Sequence, residues 1–252
     1  MDSPIYVDRG DGVALALHYR TGKGPTLVFF PGYMSDMEGS KAQALDLWAA
    51  SQGLACLRFD YAGCGASQGD FRAGSISGWT ADALHCIERQ TQGPLILIGS
   101  SMGGWISLRA AEILADRVAG WVGIAPAPDF TLWGVEASLS AQERADLQAQ
   151  GFFHRASGYG DPYIYTRRLI EDGAACAMLQ RAIALDAPAR ILQGQQDEAV
   201  PWQLSLTLAE KIRSDNVQIY LIKDGDHRLS RDQDIAMLCA TVGALVENIS
   251  CV

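Results

Sequence analysis

The sequence has no surplus of positive charge. Its 252 residues include 20 lysines and arginines against 29 aspartates and glutamates, which gives a net charge of −9 at pH 7. It also has no basic run, no internal repeat and no apolar run that approaches membrane-spanning length. Because nucleic acids and anionic membrane surfaces repel such a chain, we expect neither a nucleic-acid partner nor membrane insertion. No feature predicts an oligomeric state.

The cysteines are not spaced along the sequence as metal ligands usually are. Most of them fall in apolar strand or helix patterns, where a buried, reduced thiol is usual. The N-terminal residues MDSPIYVDRGDG contain no targeting region. These features predict a reducing compartment, a cytoplasmic location and no metal site. The six cysteines are Cys56, Cys64, Cys86, Cys176, Cys239 and Cys251.

The segment 94–116 contains a short apolar run, then Gly99-Ser100-Ser101-Met102-Gly103, then apolar residues at helical spacing. Strand, G-x-S-x-G and helix in this order predict a nucleophile elbow with Ser101 on a strained turn. Gly99 and Gly103 keep side chains out of the crowded turn, and Gly104 allows close packing of helix on strand. A purely structural turn is the alternative. The segment fits neither dinucleotide nor Walker glycine patterns.

Short apolar runs alternate with helical patterns along most of the chain, which predicts a mostly parallel, doubly wound α/β sheet with helices on both faces. The length fits one domain over residues 1–252, with a cap insertion at about 127–187. The predicted strands are 13–20, 26–30, 54–59, 95–98, 118–125, 190–192 and 217–222. The predicted helices are 38–51, 77–90, 140–150, 203–212 and 232–248, besides the one after the elbow.

The insertion is rich in aromatic residues, with seven of the chain's 21 between positions 126 and 170. This suggests an apolar cover over the site, with Trp133 and Phe152 as candidate walls of a substrate pocket. Packing on the edge of the sheet is the alternative, since aromatics also fill cores. The seven are Phe130, Trp133, Phe152, Phe153, Tyr159, Tyr163 and Tyr165.

A serine nucleophile needs a base, and in this arrangement the base lies after the last strand. His227 follows the strand 217–222 in a polar loop, so we expect it to be the base. His154 falls in the insertion and is expected at the surface. We expect structural roles for His18, on an early strand, and for His85, on a helix.

An acid that orients the base is expected between the serine and the histidine in chain order. Asp197 follows the strand 190–192 and is the predicted acid, with its neighbour Glu198 as the second candidate. Asp224 and Asp226 flank His227, where loop carboxylates are usually solvated.

An oxyanion hole needs two donors placed where negative charge develops. The backbone N–H of Met102, directly after the serine, is one candidate. The other is the backbone N–H of Tyr33, in the loop after the strand 26–30, where Gly32 would allow a tight turn.

Five motifs, PGYMSDMEGSKA, FDYAGCGASQGDF, GSSMGGW, DEAVPW and GDHR, together resemble an α/β-hydrolase. More narrowly, the chain is similar to the mitochondrial α/β-hydrolase-domain thioesterases, which remove palmitoyl groups from protein cysteines and hydrolyse acyl glucuronides. The resemblance implies Ser101 as nucleophile, Asp197 as acid and His227 as base. The chain lacks the N-terminal targeting extension of the mitochondrial members, which suggests a bacterial-type relative.

These observations predict a serine hydrolase of carboxylic esters or thioesters that works through an acyl-enzyme and requires no cofactor. Its substrate is expected to be a small molecule or an acylated partner with an apolar acyl group. A C–C bond hydrolase or a perhydrolase would use the same triad. Dehalogenases and epoxide hydrolases are disfavoured, because they carry Asp at the elbow. The non-enzymatic alternative is a ligand receptor built on a hydrolase scaffold.

Overall fold

The computed structural model describes residues 3–157 and 160–250, and within them ten strands form two sheets. Tyr159 and Cys251, both named above, lie outside the described residues. The strands are β1 (Ile5–Asp8), β2 (Ala14–Arg20), β3 (Lys23–Phe30), β4 (Leu54–Phe59), β5 (Leu95–Ser100), β6 (Val118–Ile124), β7 (Phe152–Arg155), β8 (Tyr163–Thr166), β9 (Ala189–Gly194) and β10 (Val217–Ile222).

The larger sheet has the strand order β1-β2-β4-β3-β5-β6-β9-β10. In this order every pair from β4 to β10 is parallel, and the pairs β1–β2 and β2–β4 are antiparallel. Every residue of β4, β5 and β9 is buried, as expected for apolar strands covered on both faces. The prediction of a mostly parallel sheet is confirmed.

Helices cover both faces of this sheet, and each face has its own apolar cluster. On one face α1 and α7 contribute Leu45 and Val242, and on the other α2 and α3 contribute Trp79 and Trp105. In the described part of the chain, no helix is both long and apolar enough to cross a bilayer. The α-helices are α1 (Ser40–Gln52), α2 (Ile76–Gln90), α3 (Met102–Ile113), α4 (Ala141–Gln150), α5 (Arg167–Ala175), α6 (Gln203–Lys211) and α7 (Asp232–Ser250).

The segment between β6 and β9, called the insertion below, contains α4, the hairpin β7–β8 and α5. Asp129 connects its two ends: the carboxylate accepts hydrogen bonds from the backbone N–H groups of Met178 (2.9 and 3.1 Å) and Leu179 (2.9 Å). Asp129 is buried and has a φ of +58°. Burial raises the pKa of this carboxyl, while the two amides oppose the rise. A buried acceptor thus fixes where the insertion leaves and rejoins the sheet.

Three elements have no counterpart in the predictions from sequence: β1, the hairpin β7–β8 and α5. The strands β1, β7 and β8 have four residues each, which is too short for alternation to stand out. Helix α5 has nine residues and contains Gly173, a poor helix former. Their folding is decided by contacts with distant parts of the chain. The remaining predicted elements are present, with their ends shifted by a few residues.

Candidate active site

Ser101 lies at the turn between β5 and α3, with backbone angles φ +53° and ψ −118°. A non-glycine residue adopts a positive φ only where its surroundings hold it there. The Ser101 N–H donates to the carbonyl of Ile124 (2.9 Å), and the Ser101 carbonyl accepts from Gly104 (2.9 Å) and Ala127 (3.0 Å). These bonds join the turn to the end of β6 and hold the serine side chain at the carboxyl edge of the sheet.

The glycines around Ser101 are required by close backbone contacts. A Cβ on Gly99 would lie 2.3 Å from the carbonyl oxygen of Gly103. A Cβ on Gly103 would lie 2.1 Å from a carbonyl oxygen at the end of β3, and one on Gly104 would lie 2.7 Å from the ring of Pro126. All three distances are shorter than van der Waals contact. The turn therefore packs too tightly for any side chain at these positions.

Ser101, His227 and Asp197 form a continuous chain of hydrogen bonds. His227 Nε2 lies 3.1 Å from Ser101 Oγ, and His227 Nδ1 lies 2.8 Å from Asp197 Oδ2. The three residues follow β5, β10 and β9, whose carboxyl ends share one edge of the sheet. The geometry is that of a nucleophile with a base and an orienting acid.

The loops that carry the acid and the base are fixed to each other. The N–H of Gln195 donates to Ile222, and that of Gln196 donates to Gly225, both at 2.9 Å. Gly194 approaches Gly225 so closely that a Cβ on Gly194 would lie 2.3 Å from the Gly225 carbonyl oxygen. Asp197 and His227 therefore move together, and their separation does not depend on side-chain packing alone.

The Asp197 side chain is fully buried, and four donors surround its carboxylate. Oδ2 accepts from His227 and from Gln193 Nε2 (3.0 Å), and Oδ1 accepts from the amides of Ala199 (2.9 Å) and Val200 (2.8 Å). Burial is the largest single influence and raises the pKa of Asp197. The bond and charge of His227 and the two amides outweigh it, so the pKa lies below its ordinary value. The group is held as a carboxylate.

The other candidate carboxylates lie outside this chain of hydrogen bonds. Glu198, adjacent to Asp197, is exposed and lines the cavity, while the carboxylate bonded to His227 is that of Asp197. Asp224 is exposed and pairs with Arg231 (2.7 Å). Asp226 is exposed and accepts from the backbone N–H of Leu229 (2.9 Å).

The other three histidines lie on other elements. His154 is exposed on β7, as expected. His18 Nε2 lies 3.0 Å from a carboxylate oxygen of Glu38, and His85 Nε2 lies 2.9 Å from the carbonyl of Asp8. These contacts agree with the structural roles expected for both residues.

The two candidate oxyanion donors belong to residues that line the same cavity as Ser101. Met102 is the first residue of α3, where backbone N–H groups have no partner within the helix. In residues 3–157 and 160–250, neither the Met102 amide nor the Tyr33 amide donates to a protein acceptor. The turn expected at Gly32 is different in detail, because the left-handed residue is Met34 (φ +52°). A Cβ on Gly32 would lie 3.4 Å from the Ser100 carbonyl oxygen and 3.6 Å from Ser101 Cβ, both ordinary van der Waals distances, so the space at this position does not require glycine.

A cavity of about 840 Å³ opens beside Ser101 and His227. The aromatic residues that line it, called the aromatic wall below, come mainly from the insertion, and the polar residues, called the polar wall, come from the loop after β3, from α1 and from the loop of His227. The aromatic wall contains Tyr33, Phe130, Trp133, Tyr163 and Tyr165, and the polar wall contains Ser35, Asp36, Lys41, Arg228 and Ser230. The site combines an apolar surface with convergent polar groups, as ligand sites do.

Of the two residues predicted as walls of a substrate pocket, Trp133 lines this cavity and Phe152 does not. Trp133 lines the aromatic wall and donates from Nε1 to the carbonyl of Pro128 (2.8 Å). Phe152 does not line the cavity. Its ring makes a cation–π contact with Arg72, whose guanidinium carbon lies 5.0 Å from the ring centroid. The reason is strand alternation: on β7 Phe153 points inward and is fully buried, so Phe152 faces the other side.

Lys41 lines the cavity and was not among the residues predicted from the sequence. It lies in the first turn of α1, and its ammonium donates to the carbonyl of Arg228 and to Ser230 Oγ (3.2 Å). Burial, together with the nearby charge of Arg228, lowers the pKa of Lys41 to about 8. Lys41 therefore connects α1 to the loop that contains His227, across 187 residues of sequence.

Residues 27–247 match the family described as the alpha/beta hydrolase family. The chain belongs to the alpha/beta hydrolase family. This hydrolase is 34% identical over 247 residues to the human mitochondrial palmitoyl-protein thioesterase ABHD10, covering 97% of this chain and 80% of that protein. The resemblance inferred from the motifs is confirmed.

Solved structures agree with this assignment. A crystal structure from Agrobacterium vitis S4 matches the hydrolase with a TM-score of 0.92 and 43% identity, covering 96% of this chain and 97% of that one. Mouse alpha/beta hydrolase domain-containing protein 10 matches with a TM-score of 0.90 and 33% identity, covering 98% and 100%. The two matches extend over the sheet and the insertion alike.

Proposed function

We propose that this alpha/beta hydrolase is a serine enzyme that cleaves carboxylic esters or thioesters through an acyl-enzyme on Ser101. One observation carries the proposal: the hydrogen-bonded series Asp197–His227–Ser101 opens into a cavity with an aromatic wall. The name of the ABHD10 relatives, palmitoyl-protein thioesterase, supports a thioester or ester of an apolar acid as the substrate class. The carrier of the acyl group is either a small molecule or an acylated protein.

The proposed reaction has two halves. His227 Nε2 takes the proton of Ser101 as Oγ attacks the acyl carbon, and the Tyr33 and Met102 amides stabilise the oxyanion. The imidazolium that forms is stabilised by the Asp197 carboxylate, and it then protonates the leaving alcohol or thiol. Water next attacks the acyl-enzyme with His227 as base, which releases the acid and restores the serine. Proton and bond changes balance within the triad and one water molecule.

We propose further that the insertion, residues 127–187, acts as a cap on a single hydrolase domain. Its aromatic side chains form most of the apolar wall beside Ser101, and its ends are joined through the buried Asp129. An acyl chain bound against this wall would lie next to the nucleophile while the polar wall accepts the leaving group.

The test is a panel of p-nitrophenyl esters and acyl thioesters of graded chain length, with Ser101→Ala as the blank. We expect turnover that depends on Ser101 and rises with the apolar surface of the acyl group. Two further arms address the alternatives. Turnover of meta-cleavage diketones, or peroxide-dependent formation of peracid, in excess of ester hydrolysis would favour a C–C bond hydrolase or a perhydrolase. Tight ligand binding without turnover of any substrate would favour a receptor.

A further inference from the structure

We infer that the side chain of Tyr33 is a positioning residue for the oxyanion hole, because it fixes the loop of the donor amide to the hairpin of the insertion. This inference rests on the proposed function, in which the Tyr33 backbone N–H stabilises the oxyanion. It assigns the phenol and ring of the same residue a separate task. The insertion then contributes to catalysis as well as to the wall of the cavity.

The phenol of Tyr33 donates a hydrogen bond to the carbonyl of Ile164, on β8 of the insertion. The ring lies parallel to that of Tyr165, at an interplanar angle of 1° and a centroid distance of 5.3 Å. Its ring centroid also lies 5.7 Å from that of Phe130, near the start of the insertion, and 5.3 Å from that of Phe71. A ring enclosed in this way, with its hydroxyl bonded at the far end, has little freedom to rotate.

The backbone around Tyr33 has few bonds of its own to hold it. Within the described residues, the only backbone hydrogen bond formed between residues of the turn 31–35 joins the Ser35 N–H to the Gly32 carbonyl, at 3.2 Å. From the core side, Tyr61 donates from its hydroxyl to the Pro31 carbonyl at 3.3 Å. Two side-chain hydrogen bonds therefore hold this turn. The Tyr61 hydroxyl joins it to the core of the main sheet, and the Tyr33 hydroxyl joins it to the insertion.

The position of the amide matters because an oxyanion donor works only when it is already aimed at the developing charge. Loss of such a donor typically costs about 10²–10³ in kcat, and misalignment by a fraction of an ångström loses part of that. Burial, the largest influence, raises the pKa of the Tyr33 phenol well above its ordinary value. The hydroxyl thus stays protonated and able to donate throughout the neutral range.

The experiment replaces Tyr33 by phenylalanine, which removes only the donor to Ile164, and by p-aminophenylalanine, which restores an N–H donor in the same place. Active sites are counted by fluorophosphonate titration of Ser101, so that only folded enzyme enters the rate constants. The readouts are kcat, KM and the inhibition constant of an alkyl trifluoromethyl ketone, whose serine adduct carries the oxyanion. Tyr220→Phe is the matched control, because its exposed phenol donates to Gln218 on the same strand, β10.

We expect Tyr33→Phe to lower kcat about 10-fold, because misalignment removes part of the effect of an oxyanion donor. Binding of the trifluoromethyl ketone should weaken by the same factor. KM should stay within about twofold, since ground-state binding does not use the oxyanion donors. The amino analogue should recover most of the loss, and Tyr220→Phe should match the wild type.

Two results would overturn the inference while leaving the proposed function intact. In the first, Ser101 titrates normally and kcat and ketone affinity are unchanged in Tyr33→Phe. In the second, KM alone rises, which would make the phenol part of the substrate site. Failure of the wild-type enzyme to titrate at Ser101 would instead overturn the proposed function itself.

Discussion

Replacing Asp197 by asparagine reverses the hydrogen-bond polarity at one end of the proposed triad while keeping its shape. The amides of Ala199 and Val200 both donate to Oδ1, so they select the asparagine oxygen for that position. The NH₂ group then takes the place of Oδ2 and faces His227 Nδ1, which now has to accept. The imidazole proton moves to Nε2, which donates to Ser101 Oγ and can no longer take its proton.

The expected magnitude follows from this change of tautomer. We expect kcat to fall about 10⁴-fold, the effect of an acid-to-amide change that leaves the geometry intact. The asparagine NH₂ also faces the donor Gln193 Nε2, which lies 3.0 Å from Oδ2. This unsatisfied contact in a fully buried place should cost about 1–3 kcal/mol of unfolding free energy. The protein should therefore remain folded at 25 °C, with a lower melting temperature.

The assay is steady-state hydrolysis of a p-nitrophenyl ester, with the rate of fluorophosphonate labelling as an independent readout. Asp226→Asn is the matched control: it removes a carboxylate one residue from His227, but the amide oxygen can still accept from Leu229. It should retain wild-type kcat. A loss of less than about tenfold in Asp197→Asn, far below the effect of a reversed tautomer, would show that Asp197 does not orient His227. An equally deep loss in Glu198→Gln would move the acid to Glu198.

Three further outcomes follow from the same structure. Gly103→Ala should lower the unfolding free energy by more than about 3 kcal/mol in denaturant titrations, because the new Cβ would lie 2.1 Å from a carbonyl oxygen of β3. Gly134→Ala is the control: its Cβ would lie 4.0 Å from the nearest side-chain atom, so the loss should be less than about 1 kcal/mol. Trp133→Ala should shift the acyl-chain preference in the ester panel, whereas Phe152→Ala should leave it unchanged. A shift with Phe152→Ala but none with Trp133→Ala would show that the acyl chain does not bind against the aromatic wall. Because the folded pKa of Asp197 is depressed, its contribution to stability is present above the ordinary value of 3.8 and is lost as pH falls through the folded pKa. Wild type should therefore lose more unfolding free energy than Asp197→Asn between pH 5 and pH 2, and equal losses would contradict this.

The sheet and the position of the proposed triad could be predicted from sequence because both depend on local patterns. Buried parallel strands are continuous apolar runs, and the residues directly after them lie at one edge of the sheet. Ser101, Asp197 and His227 each follow such a run, and the structure places them within hydrogen-bond distance of one another.

The insertion could not be predicted in the same way, because its structure depends on contacts between distant residues. The direction of Phe152 depends on the pairing of two four-residue strands, and nothing in the local sequence fixes that pairing. The bond from Tyr33 to Ile164 spans 131 residues, and that from Lys41 to Arg228 spans 187. Such side chains have no periodic or motif signature, so they become visible only when the fold brings their elements together.

The proposed function requires that Ser101 becomes covalently acylated during turnover. The most direct measurement is intact-protein and peptide mass spectrometry after rapid acid quench with a slowly deacylating p-nitrophenyl ester. We predict a mass increase of one acyl group on the peptide that contains Ser101, formed in the wild type with a burst of nitrophenol and absent from Ser101→Ala. Turnover with no adduct, or with the acyl group on another residue, would show that Ser101 is not the nucleophile.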